Sequence, residues 1–73
     1  MEPKAAEIEI LLNGEPYRLP PGACVGDLLE TLELAGRRVA IELNEEVLPR
    51  SEHASHPLQP GDRVEVVRAI GGG

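Results

Sequence analysis

The sequence predicts an α+β fold: one small domain in which a mixed sheet of four to five strands is covered on one face by a single main helix. Three observations predict it. Apolar residues alternate at period two near the start, in the middle and at the end of the chain. Only one stretch carries apolar residues at helical spacing. The chain has 73 residues, fewer than the ~80 at which one core is comfortably stable, so sheet and helix must cover each other.

The elements follow in order. Residues 1–6 read as a loose lead-in to a domain that otherwise takes in the whole chain, 1–73. In "EIEILL", Ile8, Ile10 and Leu12 alternate as a strand does. Asn13-Gly14 is a strong short hairpin signal, because both residues accept positive φ. "EPYRL" returns as a second strand, and Pro16, which has no N–H to donate, assigns it to a sheet edge. After "PPGA", Val25, Leu28, Leu29 and Leu32 fall at i, i+3, i+4 and i+7, one stripe of an amphipathic helix. Asp27 and Glu30 suit its start. Gly36 suits the left-handed residue that closes it, with Arg37 and Arg38 following near the negative end. "VAIEL" alternates again, Asn44-Glu45 turns the chain, and "EVL" is a short strand ended by Pro49. "RSEHASHPLQ" is a loop with room for one helical turn, Pro60–Asp62 is a turn, and "RVEVVRAI" is the last strand. Hairpin, helix, strand, short strand, loop, strand is the order of a β-grasp, the ubiquitin-like roll. Its first and last strands run parallel at the centre, with the helix behind them.

Composition narrows the function. Thirteen acids against seven bases give a formal charge of −6. Such a chain repels nucleic-acid phosphates and suits solubility or docking onto a basic protein surface. One aromatic, Tyr17, leaves the core to Leu, Ile and Val. A single cysteine, Cys24, excludes an internal disulfide framework. No apolar run approaches the ~20 residues of a membrane span, and "MEPKAAE" lacks a signal peptide's apolar segment. A cytoplasmic protein is expected, with no nucleic-acid or membrane partner. His53 and His56 lack the further ligands a tetrahedral metal site needs and read as exposed loop residues. No nucleophile, base and metal set converges, so no catalytic residue is assigned and the chain is read as a non-enzyme. No phosphate-binding glycine loop joins a strand to a helix, so no cofactor is expected on the chain itself.

The last strand is apolar on both sides, with Val64 and Val66 on one and Val67 and Ala69 on the other. Leu11 points away from the inward side of the first strand. If first and last strands are neighbours, Leu11, Val67 and Ala69 lie together on the open face as a partner-docking patch. Gly71, Gly72 and Gly73 then form a flexible tail, costly to order and thin enough to thread a narrow channel. Its terminal carboxylate, ionised at neutral pH, is a poor electrophile. It can nevertheless attack the α-phosphate of ATP on another protein, and a sulfur nucleophile can then displace AMP from the acyl-adenylate.

"LNGEPYRLPPGACVGDLLETL", "VAIELNEEVLPR" and "LQPGDRVEVVRAIGGG" resemble the ThiS sulfur carriers of thiazole (thiamin) biosynthesis, over Ile8 to Gly73. The resemblance implies that an E1-like, ATP-dependent ThiF-type enzyme adenylates Gly73. Sulfur from a donor such as a cysteine desulfurase then gives a thiocarboxylate, and thiazole synthase (ThiG) receives the sulfur. The chain would be a protein co-substrate, with ATP used by its partner. Two other carriers share the tail chemistry or shape: the MoaD-type carrier of molybdopterin synthesis and a conjugating ubiquitin-like modifier. An interaction module with an idle tail is a fourth reading. Cys24 stands where the family often has Thr or Ser at the helix start. Sulfur accepts hydrogen bonds less well than a hydroxyl, so a weaker cap is expected.

Overall fold

The structure is a computed structural model, and it describes residues 7–68. Ala69, Ile70 and the three glycines lie outside the described residues, as does the lead-in. The elements are β1 (Ile8–Leu12), β2 (Glu15–Leu19), α1 (Val25–Thr31), β3 (Val39–Leu43), β4 (Glu46–Leu48), a 3-10 turn (Arg50–Glu52) and β5 (Arg63–Arg68). They form one five-stranded sheet in the order β2-β1-β5-β3-β4. β1 and β5 are parallel, and the other neighbours are antiparallel. The first and last strands are thus adjacent, with β5 at the centre, as a β-grasp requires. Pro16 sits on the edge strand β2 opposite Leu11, where its missing N–H leaves no gap in the ladder.

Alternation delivers one side chain in two to the inward face. Ile8, Ile10, Leu19, Ile41, Leu48 and Val64 are buried there against Val25, Leu28 and Leu29 of α1, and Ala23 and Leu58 close the ends. Each buried Leu, Ile or Val contributes about 1.5–3 kcal/mol relative to exposure. The first turn of α1 also lies against the loop after the 3-10 turn. A Cβ on Gly26 would stand 2.9 Å from the Ala54 carbonyl oxygen. The Val25 N–H donates to the His56 carbonyl (2.9 Å), and the Leu58 N–H donates to the Ala23 carbonyl (2.9 Å).

Both hairpin turns use left-handed residues: Asn13 (φ 51°) with Gly14 (85°), and Asn44 (53°) with Glu45 (72°). Both asparagines do more than turn the chain. Asn13 Oδ1 accepts the Val66 N–H at 2.9 Å, and Asn44 Oδ1 accepts the Arg63 N–H at 2.9 Å. β5 is therefore clasped from both sides by the turns of the flanking hairpins.

The helix closes earlier than the sequence suggested. Glu33, not Gly36, is its left-handed terminator (φ 62°). The Leu34 N–H reaches back to the Leu29 carbonyl (2.7 Å) and the Glu33 N–H to the Glu30 carbonyl (3.0 Å), a Schellman closure. The physical reason is Leu34, which packs on the core only if the chain reverses before it. Gly36 (φ 79°) serves the following turn. Asp27 alone lies in the first helical turn; Glu30 falls near the end, and no base lies in the last turn.

Candidate functional site

Among the described residues nothing covers the sheet face away from α1. Its side chains come from alternate positions and form rows set by the strand register. Pro16, Leu11 and Arg63 make one row, Val47, Glu42 and Glu65 the next, and Ala40 with Val67 the third. Among the described residues three large apolar side chains are exposed: Val47 at 72%, Val67 at 57% and Leu11 at 39%.

Leu11 and Val67 share this face, as their positions in alternating strands required. They do not lie together. Leu11 pairs with Arg63, and Val67 lies four residues farther along β5, about 13 Å at the usual strand rise. Glu65 stands between them. Leu11 and Val67 are therefore two separate apolar points, with Ala69 outside the described residues. Val47 is the residue that sequence reasoning missed. Its signal is present in "EVL": Leu48 points inward, so the adjacent Val47 must point out.

The middle row is acidic. Glu42 and Glu65 stand directly opposite on β3 and β5, an arrangement that is unfavourable for like charges. Ion pairs on this face lie toward the edges instead: Arg18 with Glu9 at 3.8 Å, and Arg63 with Glu45 at 2.8 Å.

At the end of the sheet from which β5 leaves, Arg68 pairs in register with Val39. A cleft of about 250 Å³ opens there between Arg38, Val39, Ala40, Arg50 and Val67. A second, of about 350 Å³, lies against the helix, with Arg37, Arg50 and His53 among its walls together with Asp27 and Glu30. This is the root of the segment that carries Gly71, Gly72 and Gly73.

Cys24 is half-buried at the start of α1, and its surroundings quiet it. Its thiol donates to Asp27 Oδ2 at 3.3 Å, and its backbone N–H donates to the same oxygen at 2.9 Å. The helix start is thus a capping box: the Cys24 sulfur faces the Asp27 backbone N–H, and the Asp27 carboxylate reaches back to the Cys24 N–H. The bond to Asp27, with some desolvation and the carboxylate's charge, pushes the thiol above its ordinary range. The same contacts, the backbone N–H first, hold Asp27 below the usual carboxylate range. A thiol so held is a poor nucleophile at neutral pH.

The two histidines are half-buried rather than exposed. The His53 ring nitrogen Nε2 lies 3.1 Å from the Leu48 carbonyl, and His56 lies 3.9 Å from Glu52. The 3-10 turn folds them back onto the end of β4 and the helix start. Among the described residues no cluster of His, Cys, Asp and Glu is suited to hold a metal ion.

Comparison with known proteins decides what this surface belongs to. The ThiS family model matches residues 10–73. The chain belongs to the ThiS family. It is 41% identical to the sulfur carrier protein ThiS of Thermus thermophilus over 64 residues, 88% of this chain and 98% of that one. A crystal structure of the thiamine biosynthesis protein ThiS from Geobacter metallireducens superposes with a TM-score of 0.75 at 33% identity, over 90% of this chain and all of that one. The chain is also 41% identical over 66 residues to a thiazole synthase of Magnetococcus marinus. There it covers 90% of its own length and only 20% of that protein. The chain thus spans about a fifth of the thiazole synthase relative and nearly the whole of a ThiS relative. The β-grasp fold, membership of the sulfur-carrier family and a thiamin context agree across these comparisons.

Proposed function

We propose that this chain carries sulfur as a thiocarboxylate on Gly73 for formation of the thiazole ring. An E1-like, ThiF-type enzyme binds the open sheet face and takes the glycine tail into its active site. One oxygen of the Gly73 carboxylate attacks the α-phosphate of ATP, and pyrophosphate leaves. The terminal sulfur of a persulfide, supplied by a cysteine desulfurase or an equivalent donor, attacks the acyl-adenylate carbon, and AMP leaves. A thiol then attacks the donor-side sulfur of the acyl persulfide, forming a disulfide with the donor and releasing the acyl sulfur as thiolate. The resulting thiocarboxylate is the sulfur source for thiazole synthase. The chain is consumed and regenerated as a co-substrate, and ATP is bound by its partner.

The single observation that carries this reading is the ThiS match, which runs through the glycines to residue 73. A second supports the thiazole branch over the molybdopterin one: a segment similar to this chain occurs within a protein named thiazole synthase. Leu11, Val67 and Ala69, joined by Val47, are the apolar contacts we assign to the docking face, with Gly71 and Gly72 as the arm. No helix among the described residues is long and apolar enough to cross a membrane, and we place the reaction in the cytoplasm.

The test is intact-mass spectrometry after incubation with a ThiF-type enzyme, ATP and a sulfur donor. The expected product has one oxygen replaced by sulfur, mapped to Gly73. An unchanged mass with a demonstrably active enzyme overturns the reading. Transfer to the large subunit of molybdopterin synthase but not to thiazole synthase would move the chain to the other carrier branch. Linkage to lysines would make it a modifier, and full activity after deletion of Gly72 and Gly73 would make the tail idle.

A further inference from the structure

We propose that the arginine-rimmed cleft at the root of the tail is a specificity site for an acidic, aliphatic-flanked segment of the adenylating partner. The proposal rests on the carrier reading and adds to it what the partner must present beside its tail channel.

Charge is segregated in this chain. Its formal charge is −6, yet four of its seven bases, Arg37, Arg38, Arg50 and Arg68, sit at one end of the sheet. The topology brings them together. β3 begins there, β4 and β5 end there, and the arginines flank those three strand ends. Among the described residues none of the four makes an ion pair or a side-chain hydrogen bond, although six of the thirteen acids lie in or beside β3, β4 and β5. Those acids stand at other rows: Glu42 and Glu65 in the middle of the face, and Glu45, Glu46 and Asp62 at the opposite end, with Glu52 beside His56. Asp27 and Glu30 share the helix-side cleft with Arg37 and Arg50, but no acid lines the cleft between Arg38 and Arg50.

The cleft has two chemistries at once. Arg38 and Arg50 stand on its walls, and Val39, Ala40 and Val67 supply apolar surface. A guanidinium presents planar paired donors that match a carboxylate. Exposed Val67 beside Ala40 takes an aliphatic side chain. A phosphodiester backbone would meet the apolar floor with nothing to offer it and would be repelled by the rest of the molecule. A protein segment with Asp or Glu next to a Leu, Ile or Val satisfies both. The cleft is also continuous with the proposed docking face through Val67, and Arg68 is the last described residue before the tail. An enzyme that draws in the tail must pass this rim.

The roles of the two charged zones then differ. The arginines steer and orient the tail end of the molecule, while the acidic middle row of the open face meets bases of the same partner. Such patterning raises the rate of productive encounter more than it deepens the final complex.

The experiment compares association of the intact chain with a ThiF-type enzyme for wild type, Arg38→Glu/Arg50→Glu and the neutral pair Arg38→Gln/Arg50→Gln. Thr31→Glu/Gln59→Glu, which lowers the net charge by the same two charges as the glutamine pair at positions outside the cleft and outside the rows of the open face, is the control. All four substituted positions are exposed, and circular dichroism checks that each variant is folded. At low ionic strength the double reversal should associate about tenfold or more slowly than wild type, within the range electrostatic steering spans. The glutamine pair should fall between them, and the control should lose clearly less than the glutamine pair. The differences should shrink at about 1 M salt, where the Debye length is ~3 Å. Equal loss in the control, no loss in the double reversal, or a loss that salt does not reduce overturns the inference while leaving the carrier reading intact. A change in self-association of the chain, with enzyme binding unaltered, would assign the cleft to a second copy and also overturn it. If wild type itself neither binds nor acquires sulfur, it is the carrier reading that has failed, and this inference falls with it.

Discussion

Replacing Asn13 tests whether the fold holds its functional end through one turn side chain. Asn13 Oδ1 accepts the Val66 N–H where β1 has already turned away, and the Asn13 N–H donates to the Val64 carbonyl. In Asn13→Gly the left-handed backbone at φ 51° remains comfortable, and only the side-chain acceptor is lost. A net hydrogen bond is worth about 0.5–1.5 kcal/mol, and this one is exposed, so the lower half applies. Glycine's extra freedom in the unfolded chain adds about 0.4–1 kcal/mol. The expected loss is about 1–2 kcal/mol, or roughly 5–15 °C in Tm for a domain of this size. Asn13→Ala adds the left-handed penalty of about 1–2 kcal/mol and should be worse. Asn13→Asp keeps both the acceptor and the tolerance of positive φ and should stay within about 0.5 kcal/mol of wild type. The local readout is amide hydrogen exchange. The Val66 amide should lose about two- to fivefold in protection relative to the core amides of Ile10 and Ile41, the part of the loss that belongs to the hydrogen bond alone. An unchanged ratio in Asn13→Gly, or a glycine variant as stable as wild type, would refute the clasp.

Two further predictions rest on the helix start. Gly26→Ala gains at most about 1 kcal/mol of helix propensity. Its Cβ, however, would stand 2.9 Å from the Ala54 carbonyl oxygen and 3.0 Å from the Ala54 Cα, and overpacking against backbone costs about 1–3 kcal/mol. Thermal denaturation should therefore show a net loss of about 1 kcal/mol, and a raised Tm would show that the loop yields freely. The Cys24–Asp27 pair predicts pH behaviour with two signs. Asp27 titrates below the usual carboxylate range, chiefly through the Cys24 N–H, so its contribution is complete above that range and disappears as pH falls through its lowered native value. The Cys24 thiol titrates above its ordinary range, chiefly through the bond to Asp27, so its contribution is complete below that range and is lost as pH rises through the raised native value. Denaturation across pH should show a stability advantage over Asp27→Asn on the plateau between these limits, narrowing on both sides. At mildly alkaline pH iodoacetamide should alkylate Asp27→Asn faster than wild type, and equal rates would deny the carboxylate's control of the thiol.

Most of the fold was legible in the chain, because its signals are local. Alternation in "IEIL" and "VAIEL" requires only neighbouring residues, as do Asn13-Gly14 at a hairpin and Pro16 at an edge. The helix terminus was misread because glycine is the residue with the least steric objection to positive φ. Glu33 takes that conformation instead, since it lets Leu34 reach the core, and burial of a leucine exceeds the left-handed cost. The exposure of Leu11 and Val67 was legible from period two, but their separation was not. It depends on the stagger between β1 and β5, and in parallel strands no connecting turn sets that stagger.

The sequence by itself determined the plan of one helix on a sheet of four to five strands, the turns that join it, the family, and a glycine tail with no side chain to bury. Those follow from periods and conformational preferences that a residue and its near neighbours settle. Only the tertiary structure decided that Asn13 reaches across 53 positions of sequence to hold Val66 and that four arginines collect at one end of the sheet. These depend on which strand lies beside which, and at what offset. That choice is made by the whole core at once, because sliding any strand by one residue would turn its buried side out to water.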